Sequence, residues 1–232
     1  MTRIKPLHDW NLTPKQAVQL QKELAQRVVL EDALYTPRYV AGVDVGFEDG
    51  GATTRAAVVV LQLETLEPVD QVIARRPTDF PYVPGLLSFR EIPTVLKAME
   101  KLTVWPELLL CDGHGIAHPR RLGIASHLGL IADLPSLGVG KSRLCGSHES
   151  VPDRKGAWVP LQDKGMTIGA VLRSRVGVKP IYISAGHKIS LDTAIHTVLR
   201  CLTKYRLPET TRLADKLASN RGITRNSTGT EA

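Results

Sequence analysis

Apolar Ala17, Leu20, Leu24 and Val28 recur at helical spacing, so the pattern predicts an amphipathic helix over residues 14–31. The segment TPKQ ahead of them has the form of a capping box, with Thr13 as N-cap, Pro14 in the first turn and Gln16 reaching back. The period then changes. Residues 39–47 (YVAGVDVGF), 54–64 (TRAAVVVLQLE) and 67–76 (EPVDQVIARR) are β-branched and apolar runs bounded by turn residues, and read as three successive strands. Gly50 and Gly51 make the first turn and residues 64–68 the second, and such short connections require antiparallel neighbours.

A proline-rich loop over 77–85 precedes a helical pattern at 87–103, in which Pro93 is expected in the first turn. Next come a strand at 107–111, a loop, a helix over 122–132 and a buried strand at 135–140 (PSLGVG). Further strands at 166–173 and 180–184 lead to a helix over 191–202 with Ser190 as N-cap, and to a short helix at 210–219. Three antiparallel strands followed by alternating helices and strands describe an α/β fold with a mixed central β-sheet flanked by helices. Residues 1–220 are expected to form a single domain, and the polar tail 221–232 to be disordered. In such sheets, sites gather where strand ends and loops converge.

Composition adds three constraints. The longest apolar runs, such as AAVVVL at 56–61, are far too short to span a bilayer, so no membrane partner is expected. The three cysteines form no C-x-x-C and the first residues lack the apolar block of a signal peptide, which points to a reducing cytoplasm. The net charge of +7 is lopsided: residues 1–150 hold 16 basic and 17 acidic side chains, residues 151–232 hold 14 and 6. A basic excess confined to the last third suits either a polyanionic partner, nucleic acid first, or a solvated surface.

Asp44 interrupts a small, apolar strand, Asp112 ends another, and Glu91 falls near the start of a helix. Meeting at one sheet edge, the three could hold Mg²⁺ for phosphodiester hydrolysis. Each also has a plain structural reading: a hydrogen-bonded turn, a strand-end cap and a helix N-terminal acid. His114 and His118 stand four apart like a helical zinc pair, but Gly115 and Pro119 argue against a helix there. GVGKS at 138–142 resembles the end of a phosphate-binding loop, yet Pro135 stands where that motif needs glycine. Lys141 remains available to a phosphate. In FPYVPG (80–85) two prolines stiffen the chain around Tyr82, a presentation suited either to insertion between bases or to packing on the protein's own surface.

AGVDVGF, PYVPGLLSFRE, DGHGIAHPRRLGIASHLGL, GVGKSRL and YRLPETTRLAD stand in the order and approximate spacing of the endonuclease V family. The resemblance runs from the first helix to Asp215, leaving out the tail and residues 146–165. It implies a ribonuclease-H-like fold and a Mg²⁺-dependent nuclease, Mn²⁺ being an alternative. Such a nuclease cuts the second phosphodiester bond 3′ to deoxyinosine in DNA and leaves 3′-hydroxyl and 5′-phosphate ends. The acidic cluster it implies falls on Asp44, Glu91 and Asp112, with Asp215 where some relatives have His. Lys141 would face the scissile phosphate, and Pro81, Tyr82, Val83 and Pro84 would form the DNA wedge. The base pocket would be built around Gly113, Gly115, Gly123, Ile124, Gly138 and Leu144. From their charge, Arg120 and Arg121 fit phosphate contacts. Gly140 replaces a common Ala and Ser136 a Thr, changes that bear on fit more than on chemistry, and PETTRL in place of the usual PEPTRL leaves the approach to Asp215 less rigid. Inosine in RNA is an alternative substrate, and a monomer is expected. Another ribonuclease-H-like nuclease and a non-catalytic nucleic-acid-binding protein are the rival readings.

Overall fold

The computed structural model describes residue 4 and residues 6–33 and 36–219; the tail expected at 221–232 lies outside them. Helix α1 (Pro14–Ala25) opens with the expected capping box, in which the Gln16 amide donates to Thr13 Oγ1 and the Thr13 amide to Gln16 Oε1. It ends six residues earlier than its apolar spacing suggests. Val28 and Val29 are poor helix formers, and the backbone of Val29 instead accepts from the Lys188 amide at 2.7 Å.

Strands β1 (Tyr39–Glu48), β2 (Thr53–Gln62) and β3 (Pro68–Pro77) form the antiparallel meander, with a single 3-10 turn, Asp49–Gly51, between the first two. Helix α2 (Leu87–Met99), strand β4 (Leu108–Asp112), helix α3 (Ile124–Ala132) and strand β5 (Ser136–Gly140) follow. Then come β6 (Trp158–Asp163), β7 (Met166–Leu172), β8 (Ile181–His187), α4 (Leu191–Arg200) and α5 (Glu209–Ala218). Ser190 caps α4 as expected, its side chain accepting from the Thr193 amide. Two expectations are corrected. Pro93 sits inside α2 rather than in its first turn, because the helix starts at Leu87. Strand β6 has no counterpart in the pattern: its alternation is short and carries Pro160, and only pairing with β7 makes it a strand.

Among the described residues, eight strands form one sheet in the order β3-β2-β1-β4-β5-β8-β7-β6. β1, β4 and β5 run parallel at its centre, and antiparallel strands extend it on both sides, a mixed sheet of ribonuclease-H-like topology. Alternation along β1 and β4 divides the core in two. Ala41, Val43, Leu109 and Cys111 pack beneath α2 and α3, with Ile92, Val95 and Leu128. Val40, Leu108 and Leu110 pack on the other face with Val198 of α4 and Ala214 of α5. Helix α5 lies tight against β1, since a Cβ at Gly42 would come within 2.0 Å of the Thr210 carbonyl oxygen. That close approach brings α5 to the edge where the parallel strands end.

Candidate active site

Parallel register aligns Val43 of β1 with Cys111 of β4. The next residues, Asp44 and Asp112, therefore emerge side by side on the α5 face. Asp215 joins them from α5. Among the described residues these three carboxylates form a group whose ligand oxygens all lie within 4.8 Å of one another. Glu91 arrives from α2, on the opposite face of the sheet. It is fully buried and lies outside that tight trio, yet close enough that burial, then Asp44 and Asp112, push its carboxyl well above the ordinary range. Burial, with Asp112 adding like charge, pushes Asp44 up to about 7. Asp112 is raised by burial too, partly offset by Lys141.

Lys141, one residue past β5, spans the cluster. Its ammonium pairs with Asp112 and lies 2.7 Å from Asp215. Burial opposes that charge, but the hydrogen bonds to Asp112 and Asp215 outweigh it and hold the lysine above its usual value. A buried set of like charges needs such a cation. The all-oxygen donor set fits a hard divalent ion.

Beside the cluster lies a cavity of about 290 Å³. Gly113, Gly123, Ile124 and Leu144 line it, together with Leu87, Ser88 and His114. Gly115 and Gly138, expected among the lining, stand behind it instead. A Cβ at Gly115 would meet the Ala185 carbonyl oxygen at 2.0 Å, and one at Gly138 the Gly115 nitrogen at 2.6 Å. Their small size lets the 113–123 loop lie flat on β5 and β8, which positions the wall without contacting its interior.

The wedge forms the cavity's outer lip: Tyr82, Val83, Pro84 and Gly85 line it. Phe80 and Leu86 are buried on either side of the tip and anchor it, while Tyr82 is 71 % exposed. A second anchor was not legible in the sequence. The Gly85 carbonyl oxygen accepts from Gln21 Nε2 at 2.9 Å, Arg120 Nη2 at 2.7 Å and His118 Nε2 at 3.1 Å. Gln21 also donates to the Leu122 carbonyl and accepts from Arg120 Nε, so helix α1 ties the wedge to the loop. Arg120 thus faces inward, and Arg121 pairs with Asp163 of β6 at 2.6 Å. These contacts engage both guanidinium groups within the protein rather than leaving them on an open phosphate-binding face. The two loop histidines hold no metal-like constellation with other ligands among the described residues. His118 grips Gly85, and burial lowers its imidazole to about 4.

A mixed sheet of this order, with carboxylates gathered at its parallel strand ends, places the chain in the ribonuclease-H-like fold class. The family model described as Endonuclease V matches residues 22–216. Endonuclease V of Trichormus variabilis is 60 % identical over 215 residues, which is 92 % of this chain and 97 % of the relative. The crystal structure of Endonuclease V from Streptomyces avermitilis superposes with a TM-score of 0.87 at 44 % identity, covering 95 % of this chain and 97 % of that one. Ciona intestinalis Endonuclease V, in complex with a 24mer DNA containing an inosine followed by a ribo-adenosine, gives a TM-score of 0.77 at 27 % identity, covering 89 % and 96 %. The chain belongs to the endonuclease V family. No described helix is long and apolar enough to cross a membrane.

Proposed function

We propose that this protein recognises deoxyinosine in DNA and hydrolyses the second phosphodiester bond 3′ to it, acting as a cytoplasmic monomer. One adjacency supports the reading: the cavity that Tyr82, Val83 and Pro84 line is also lined by Gly113, the residue that follows Asp112 of the carboxylate cluster. An extruded purine needs a pocket, and the gap it leaves needs a filler. Tyr82 would fill that gap. The Ciona relative's complex with inosine-containing DNA supports the substrate class.

Asp44, Asp112 and Asp215 would hold Mg²⁺, or Mn²⁺ in its place, with Glu91 behind them shaping the field of the site. The ion would stabilise charge on the phosphate and acidify a bound water. The chain's own residues do the rest. Lys141, half-exposed beside the cluster, would hold a non-bridging phosphate oxygen. Leu87 and Ser88 open α2 at the pocket wall, where first-turn amides have no intrahelical acceptor and can donate to the base. Water adds to phosphorus as the P–O3′ bond breaks, giving a 3′-hydroxyl and a 5′-phosphate. The basic excess of residues 151–232 would hold the backbone.

An end-labelled duplex with one deoxyinosine tests this. A single nick one nucleotide beyond the lesion is expected with Mg²⁺, and none with EDTA or in an inosine-free duplex. Binding without any metal-dependent nick would remove the nuclease reading.

A further inference from the structure

One wall of the cavity carries a chain of polar side chains that neither the carboxylates nor the wedge engage. Ser88 lines the cavity and is otherwise buried. Its Oγ lies 3.0 Å from Nδ1 of His127. Nε2 of His127 lies 2.8 Å from Nε2 of His8, and Nδ1 of His8 lies 2.7 Å from the Asp9 carbonyl oxygen. His127 is wholly enclosed, and burial, with His8 adding to it, pushes its imidazole down to about 3, so the ring is neutral.

The far end fixes the direction of every hydrogen bond. A carbonyl oxygen only accepts, so a His8 ring carrying a single proton holds it on Nδ1 and its Nε2 is bare. His127 must then donate from Nε2, which leaves its own Nδ1 as an acceptor. The Ser88 hydroxyl gives its hydrogen to that nitrogen. All that its oxygen can offer the cavity is lone pairs.

We infer that Ser88 is a specificity-determining residue, a hydrogen-bond acceptor of fixed polarity that receives the N1–H of a 6-oxopurine and turns away adenine. The inference rests on the cavity being the base pocket. Hypoxanthine carries a hydrogen on N1. Adenine and unsubstituted purine carry a lone pair there, and lone pair against lone pair leaves both groups unsatisfied in a buried site. Sites built to bond a substrate hydrogen reject the analogue lacking it far better than apolar pockets reject a change of size. His8 and His127 are positioning residues: they touch no base and act through the hydroxyl.

The test compares kcat/KM, with Mg²⁺ at about pH 8, where imidazoles are neutral, on duplexes with hypoxanthine or unsubstituted purine at one position. Wild type, Ser88→Ala and His8→Phe are used, with thermal unfolding run alongside. His8→Phe keeps a ring against Trp10 and Phe89 and leaves the hydroxyl in place, but frees the His127 tautomer. The hypoxanthine-to-purine ratio should fall about tenfold in Ser88→Ala and about threefold in His8→Phe. A wild-type preference that survives unchanged in both variants overturns the role of Ser88, including the case where both substrates slow equally. A wild type indifferent to hypoxanthine overturns the base-pocket reading and this inference with it.

Discussion

Asp44 and Asp112 stand one step past the paired residues Val43 and Cys111, so neighbouring parallel strands deliver two carboxylates to the same face of the same sheet edge. Nothing in the packing asks for them there. Burial pushes both upward despite Lys141 beside them, the kind of perturbation that gathers at functional sites. Replacing Asp112 by Asn removes one ligand and one partner of Lys141. Cleavage of an inosine duplex should fall at least ~100-fold and the Mg²⁺ requirement should rise, while lesion binding measured in EDTA stays within about threefold. Full turnover by Asp112→Asn at saturating Mg²⁺ would move the reaction away from this cluster.

Tyr82 contributes almost nothing to folding, being 71 % exposed between two prolines. Its removal separates recognition from stability. Tyr82→Ala should leave the unfolding free energy unchanged within about 0.5 kcal/mol. It should weaken binding to an inosine duplex by about 5- to 150-fold, the range of one lost base–aromatic stack. Equal affinity of mutant and wild type would mean that the ring packs elsewhere in the complex.

The strands and helices that position these groups were legible because each has a strong local signal. The meander followed from β-branched runs split by tight turns, and α4 from its Ser190 cap. Asp44 was legible as a candidate because a charge inside an apolar strand is costly to bury. What could not be read depended on contacts distant in sequence. Helix α1 ended early because Val29 bonds the chain at Lys188. Strand β6 exists only through β7. Arg120 and Arg121 looked like surface cations, yet their partners, Gly85, Gln21 and Asp163, come from three separate segments. The Ser88–His127–His8 chain gave no sequence signal, since its members are 39 and 119 residues apart.

Gln21 offers the cleanest view of that hidden framework. Its amide bonds the Gly85 carbonyl, the Leu122 carbonyl and the Arg120 guanidinium. Gln21→Leu keeps the volume and removes all three bonds, stranding buried polar groups at ~1–3 kcal/mol in total. The unfolding midpoint should drop accordingly. Lesion discrimination should drop as well, because the wedge and the pocket loop lose their common anchor. Lost stability with discrimination intact would show that Phe80 and Leu86 suffice to hold the wedge.

Metal and proton compete at Asp44. Its carboxyl rises from an ordinary 3.8 to about 7 in the folded protein. Between those values the metal-free folded state holds a proton that the unfolded chain has lost. By linkage, the stabilisation this provides is present at low pH and is lost as pH rises toward about 7. A cation must expel the same proton, so Mg²⁺ binding should weaken as pH falls below that value. The thermal unfolding midpoint in EDTA should therefore decline between about pH 4 and pH 7 more steeply in wild type than in Asp44→Asn. The stabilisation given by Mg²⁺ to wild type should be larger near pH 8 than near pH 6. A Mg²⁺ shift independent of pH would mean that Asp44 keeps its negative charge throughout, held by Lys141 and the Val45 amide more firmly than burial opposes it.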